Sequence, residues 1–172
     1  CIRDREIARF AVEKDLIVIS DEIYAELTYG GEHVSIATFP GMRERTIFLH
    51  GCSKAWAMTG WRLGWAGGSK QIADAIKKIN ASAATHVPTF LMPAAITALS
   101  LKEETKMMQD SFHQRRDVIH KLLDNLPGIT LPKPEGAFYA LCDISQTGMT
   151  DIEFAQRALE EAKVQLIPGS LM

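Results

Sequence analysis

The sequence predicts an α/β protein on three observations. A segment of helical periodicity is followed at once by a compact apolar run. Two further apolar runs end in glycine, and ionisable side chains stand where the runs stop. Continuous apolar strands bounded by turn residues are the pattern of a sheet covered on both faces.

The elements follow in order. From Ile2 to Val12 apolar residues recur at helical spacing, and Asp15-Leu16-Ile17-Val18-Ile19 reads as a buried strand. Thr46-Ile47-Phe48-Leu49-His50 is a second strand, closed by Gly51, and Trp61 to Ala66 is a third, closed by Gly67-Gly68. Ser69 is an N-cap for a helix from Lys70 to Ile79 that aligns Ile72, Ile76 and Ile79 on one face. After Pro88, one long helical pattern runs from Pro93 to Leu126, with Met108, Phe112, Ile119, Leu122 and Leu126 as its buried stripe, until Pro127-Gly128 stops it. Beyond Pro134-Glu135-Gly136, Ala137 to Leu141 is strand-like, Thr150-Asp151-Ile152-Glu153 is a capping box opening a helix to Ala162, and Val164 to Ile167 is a last strand. The start at Cys1 in mid-pattern and the stop after Pro168-Gly169-Ser170-Leu171-Met172 lead to the expectation of an internal piece of a larger fold.

Composition narrows the class. The chain has 172 residues, 47% hydrophobic and 23% charged, enough apolar material for a packed core and too much for a disordered chain. A formal charge of −2 leaves no excess of cations for a phosphate backbone, so nucleic acid is not the expected partner; Arg115-Arg116 reads as a solvated helix face. Cys1, Cys52 and Cys142 have neither disulfide nor zinc spacing, which suits a reducing, cytoplasmic setting, although a targeting segment ahead of Cys1 would lie outside the sequence. The five histidines show no paired-ligand spacing, so no metal is expected. No apolar run reaches the roughly 18–20 residues that span a bilayer.

Asp21 follows the first strand, Lys54 the second, and Arg62 lies eight residues further on, at the start of the third. In open α/β sheets ligands sit beyond the carboxyl ends of the strands, so an acid, an amine and a guanidinium can meet in one crevice. The set is complementary to pyridoxal 5′-phosphate (PLP): a carboxylate for the protonated pyridine nitrogen, an amine for the aldehyde, a cation for the phosphate. Each residue also has a plainer reading. Asp21 suits a turn cap, Lys54 a solvated surface, and Arg62, amid Trp61, Leu63 and Trp65, a pair with a structural carboxylate.

Taken together, Ser20-Asp21-Glu22-Ile23-Tyr24 and Ser53-Lys54-Ala55-Trp56-Ala57-Met58-Thr59-Gly60-Trp61-Arg62-Leu63-Gly64-Trp65 are specific. With Pro134-Glu135-Gly136-Ala137-Phe138-Tyr139 they extend over almost the whole chain. The chain resembles the fold-type I PLP enzymes, in particular the class I/II aminotransferases and the gamma branch of the aspartate and aromatic aminotransferase family.

That resemblance implies the later part of a PLP-binding large domain, a mainly parallel sheet with flanking helices, over residues 1–105, and part of a small α+β domain over 106–172. It implies that Lys54 carries PLP as an internal aldimine and moves the proton of the substrate's alpha carbon, that Asp21 pairs with the pyridine nitrogen, that Tyr24 bonds the phenolic oxygen, and that Ser53 and Arg62 hold the phosphate. Gly51 stands where many relatives carry a phosphate-binding hydroxyl, and Cys52 is read as packing. The implied reaction moves an amino group from an L-amino acid to a 2-oxo acid in a homodimer. The phosphate loop, the ring-stacking aromatic and the arginine for the substrate carboxylate fall outside the segment, so a catalytically incomplete, inactive piece is one expectation. A PLP-dependent carbon–sulfur lyase or an aminocyclopropane carboxylate synthase on the same fold is the other reading of these residues.

Overall fold

The computed structural model describes residues 2–172. The chain divides into two compact units, one ending at Asp110 and the other spanning Ser111–Met172.

The first unit opens with helix α1 (Ile2–Glu13). The helix closes without a glycine: Asp15 takes a left-handed conformation (φ 49°), and the Leu16 N–H reaches back to the Ala11 carbonyl at 2.8 Å. Arg45 then fastens this corner, donating to Asp15 Oδ1, the Leu16 carbonyl and the Gly41 carbonyl. Strand β1 (Val18–Asp21) pairs in parallel with β2 (Thr46–Gly51), and β2 pairs antiparallel with β3 (Gly64–Gly67). The order β1-β2-β3 gives a mixed sheet, and with its helices an α/β fold. Ala8 and Ala11 of α1 close on Met42, with Val18, Ile36 and Phe39 packed around them. Small residues on α1 bring the helix close to the loop ahead of β2, and Leu27 and Met42 are wholly buried.

Helix α2 (Lys70–Ala83) follows Ser69 as predicted, although the Ser69 side chain makes no capping bond. Helix α3 (Leu91–Ser100) carries Pro93 in its first turn, where a missing N–H is harmless, and α4 (Lys102–Leu123) follows after one non-helical residue.

In the second unit Leu131 is the buried apolar anchor, its N–H donating to Asp124 Oδ1 and the nearby Pro134 carbonyl accepting from Arg116. Helix α5 (Asp151–Ala162) has its capping box complete, with Thr150 Oγ1 accepting from the Glu153 N–H and Glu153 accepting from the Thr150 N–H. The Asp151 carboxylate accepts the Ser170 N–H, tying the last residues to the start of α5.

Several expectations are corrected. Among the described residues one face of the sheet is open, with Ile17 and Ile19 67% and 68% exposed. The third strand begins at Gly64, because Trp61 closes a short 3₁₀ turn and Arg62 turns left-handed. The long helix from Pro93 to Leu126 is two helices. Ser100 Oγ bonds the Thr97 carbonyl, Leu101 swings to ψ 71°, and its carbonyl accepts the first bond of α4. The stripe meant to be buried is largely open, with Leu122 61% exposed. Ile79 is exposed as well. Residues 137–141 and Val164 to Ile167 form no strand among the described residues; nearby, Thr130 and Asp143 form an isolated antiparallel bridge. Among the described residues no helix is long and apolar enough to cross a membrane, and no cluster of His, Cys, Asp and Glu is arranged to hold a metal. Cys1 lies outside the described residues.

Candidate active site

Strand direction assembles the site. Parallel β1 and β2 finish at the same edge of the sheet, and antiparallel β3 begins there, Gly64 standing opposite Gly51. Three connections therefore emerge at one edge. They are the turn after β1 with Asp21 and Tyr24, the turn after β2 with Ser53 and Lys54, and the 3₁₀ turn before β3 that ends at Arg62.

Asp21, last residue of β1, lies opposite Leu49, and the Glu22 N–H extends the ladder to the Leu49 carbonyl. The Asp21 side chain is exposed, and its Oδ1 accepts the Ile23 N–H at 3.1 Å. The turn-cap role is thus present. Two overlapping turns follow, closed by Ala25 N–H to Glu22 and Leu27 N–H to Tyr24, and wholly buried Leu27 anchors them. Tyr24 is half-buried, and the Lys54 Nζ lies 5.9 Å from its ring centroid.

The turn bearing Ser53 and Lys54, both half-buried, is pinned at both ends. Cys52 N–H donates to the Leu63 carbonyl at 3.0 Å, and Met58 N–H returns to the Cys52 carbonyl at 3.2 Å. Cys52 and Ala55 are wholly buried beneath it, which agrees with the packing reading of Cys52; burial pushes its thiol pKa up, away from nucleophile chemistry. Ala57 turns left-handed (φ 52°) to bring the chain round. Gly51 is tightly confined, since a Cβ there would lie 2.9 Å from the Leu63 carbonyl and 3.0 Å from Gly64 Cα. A hydroxyl-bearing side chain at this position would require backbone of β2 or β3 to shift.

Arg62 is held at φ 51°, ψ 44°, a conformation that disfavours a side-chain-bearing residue. Its Nη1 donates to the Thr59 carbonyl, and the residue is exposed rather than sunk in an apolar setting. Solvent therefore spares it the buried-charge cost that the neighbouring tryptophans suggested.

Two polar clusters support this edge and are not evident in the sequence. Glu22, 9% exposed, accepts Ser35 Oγ at 2.6 Å and His33 Nε2 at 2.9 Å. Burial works to raise the Glu22 pKa, but the bonds from Ser35 and His33 outweigh it and leave the carboxyl below its ordinary value. His50, in β2, bonds Glu26 at 3.0 Å and stacks on its cross-strand partner Trp65, centroids 5.0 Å apart and planes within 2°. The Glu26 bond raises the His50 pKa and lowers that of Glu26.

The site stands in a chain with many relatives. The family model for aminotransferase class I and II matches residues 5–172. The aspartate aminotransferase of Pyrococcus abyssi is 44% identical over 169 residues, covering 96% of this chain and 43% of that protein. Aromatic-amino-acid aminotransferase 2 of Thermococcus litoralis is 40% identical over 169 residues, again 43% of its length. Among solved structures, the aromatic aminotransferase of Pyrococcus horikoshii OT3 superposes with a TM-score of 0.91 at 42% identity, over 97% of this chain and 46% of that one. The chain spans less than half the length of these relatives.

Proposed function

The chain belongs to the class I and II aminotransferases, and from that premise we propose that the protein is a PLP-dependent aminotransferase passing an amino group from an L-amino acid to a 2-oxo acid, with Lys54 as the residue that carries the cofactor. The observation behind this reading is the placing of Lys54 over Tyr24 at a sheet edge shared with Asp21 and Arg62.

The residues fit the group. An amine, a carboxylate, a phenol and a guanidinium issue from three connections at one edge, which matches an aldehyde, a ring nitrogen, a phenolic oxygen and a phosphate. Bound there, PLP supplies an electron sink for breaking the bond to hydrogen at the substrate's alpha carbon. The Lys54 amine would hold the group through its aldehyde carbon and, when not so engaged, could take up and return the alpha proton. Asp21 stabilises a proton on the ring nitrogen through its negative charge, and Tyr24 donates its hydroxyl to the phenolic oxygen. Ser53 and Arg62 would hold the phosphate, through a hydroxyl and a guanidinium charge. With no side chain at Gly51, further phosphate contacts in this turn would fall to backbone N–H groups.

Residues 1–105 are assigned to the large, cofactor-binding domain and 106–172 to the small domain, which the division after Asp110 supports. The uncovered Ile17, Ile19 and Phe90 support burial against further polypeptide, and we assign the full protein a homodimeric state. Free thiols at Cys52 and Cys142 support a cytoplasmic location. A lyase would use the same amine, acid and phenol, but the relatives named above are aminotransferases.

The test is a single half-reaction. The protein at its full natural length, loaded with PLP, is mixed with aspartate and with an aromatic amino acid, without a 2-oxo acid. Stoichiometric pyridoxamine phosphate and 2-oxo acid are the expected products. Continuous release of ammonia, or of a thiol when a cysteine thioether is supplied instead, with the cofactor unchanged would make the protein a lyase.

A further inference from the structure

The polar groups around His50 form a connection between two turns of the candidate site. The Gly51 N–H donates to His50 Nδ1 at 2.7 Å, so that nitrogen carries no proton. The proton of the neutral ring then sits on Nε2 and is donated to Glu26 Oε2 at 3.0 Å. Glu26 belongs to the turn of Tyr24, and Gly51 leads into the turn of Lys54. The ring between them cannot rotate freely: Trp65 stacks on it, and Trp56 flanks both at 6.0 Å from His50 and 6.4 Å from Trp65. Gly51 itself is confined by the close approach of Leu63 and Gly64.

We infer that His50 is a positioning residue for Lys54: its imidazole links the Glu26 turn to the Gly51 peptide, and it sets the presentation of the Lys54 amine differently in its neutral and protonated forms. A second proton can enter only at Nδ1, where it would face the Gly51 N–H, donor against donor. The Gly51 contact must then break, and the peptide that begins the Cys52–Lys54 turn moves. The acting charges are few. Glu26 and, at longer range, Glu22 favour the protonated ring, and His33 acts on Glu26, whereas Trp65 and Trp56 do not titrate. Glu26 and a bond with the Gly51 backbone pull toward the cation, while the contact from the Gly51 N–H requires the neutral ring. The consequence for catalysis rests on the reading of Lys54 as the cofactor-bearing residue; the link from His50 to Lys54 does not.

The experiment therefore avoids the cofactor. The protein is labelled with trace acetic anhydride across the pH range of histidine titration, and Lys54 acetylation is expressed relative to exposed Lys70 in the same sample. The His50 midpoint is read independently from imidazole nitrogen shifts by NMR. In the wild type, relative Lys54 labelling should change about two- to tenfold, the range one hydrogen bond supplies, with an inflection at the His50 midpoint. His50→Phe keeps the stack and His50→Gln keeps a donor for Glu26; neither titrates, and both should give a flat ratio. A flat wild-type ratio, or an inflection that survives in a folded variant, would overturn the inference. Parallel trapping with PLP and borohydride reports on the other reading: if Lys54 shows the inflection yet PLP attaches elsewhere, the cofactor assignment fails and the role of His50 stands.

Discussion

The Lys54 Nζ stands 5.9 Å from the centre of the Tyr24 ring, and the two residues reach that separation from different strands. Tyr24 follows β1 and Lys54 follows β2, so the parallel register that sets Asp21 against Leu49 decides whether they meet. A slip of one residue would turn alternate side chains to the other face and separate them.

Removing only the phenol oxygen tests what Tyr24 contributes. Tyr24→Phe keeps the ring beneath Lys54 and should weaken PLP binding about tenfold, equivalent to about 1.4 kcal/mol, as expected for one hydrogen bond to an anionic oxygen. Titration of cofactor absorbance against protein measures it. Unchanged affinity would leave Tyr24 as packing alone.

The meeting of β2 and β3 should be intolerant of a methyl group. In Gly51→Ala the new Cβ would come within 2.9 Å of the Leu63 carbonyl, and backbone on both strands must yield. A loss of about 1–3 kcal/mol in urea unfolding is expected. Stability equal to wild type would mean that the strands are further apart than described.

Glu22 predicts an acid limit. Its folded pKa lies below the ordinary 4.5, so its contribution is complete above that value and is lost as pH falls through the folded pKa. Ser35→Ala removes one of the opposing bonds. The stability difference between wild type and variant should therefore be full at neutral pH and shrink below pH 4.5. A difference that grows on acidification would contradict the assignment. His50 has the opposite sign: its raised pKa adds stability below 6.5 that disappears as pH rises through the folded value.

The capping box of α5 is a local test in the second unit. Thr150→Ala removes the acceptor for the Glu153 N–H and should destabilise the helix by about 1 kcal/mol, read from amide exchange along Asp151–Ala162. Exchange rates matching wild type would show that the cap is not stabilising.

What could be read from the sequence follows from how far apart the interacting residues lie. Thr150 and Glu153 bond across three positions, so the box and its helix were legible, as were α1, α2 and the first two strands. Asp21, Tyr24, Ser53, Lys54 and Arg62 stood out because their residue types recur in a known arrangement, and strand direction places them at one edge. The break at Leu101 was hidden, since neither glycine nor proline marks it and the departure lies in one ψ angle. Val164 to Ile167 has strand composition, but a strand requires a partner, which composition cannot supply. The Glu26–His50 and Glu22–His33 bonds span 24 and 11 positions, and nothing local announces them.

The most direct test of the central claim is the site of covalent attachment. The protein is incubated with PLP, reduced with borohydride, digested and mapped by mass spectrometry. A single phosphopyridoxyl group on Lys54, absent from Lys54→Ala, is the predicted result. Labelling spread over surface lysines such as Lys70 and Lys77 in the protein at its full natural length, undiminished in Lys54→Ala, would contradict it.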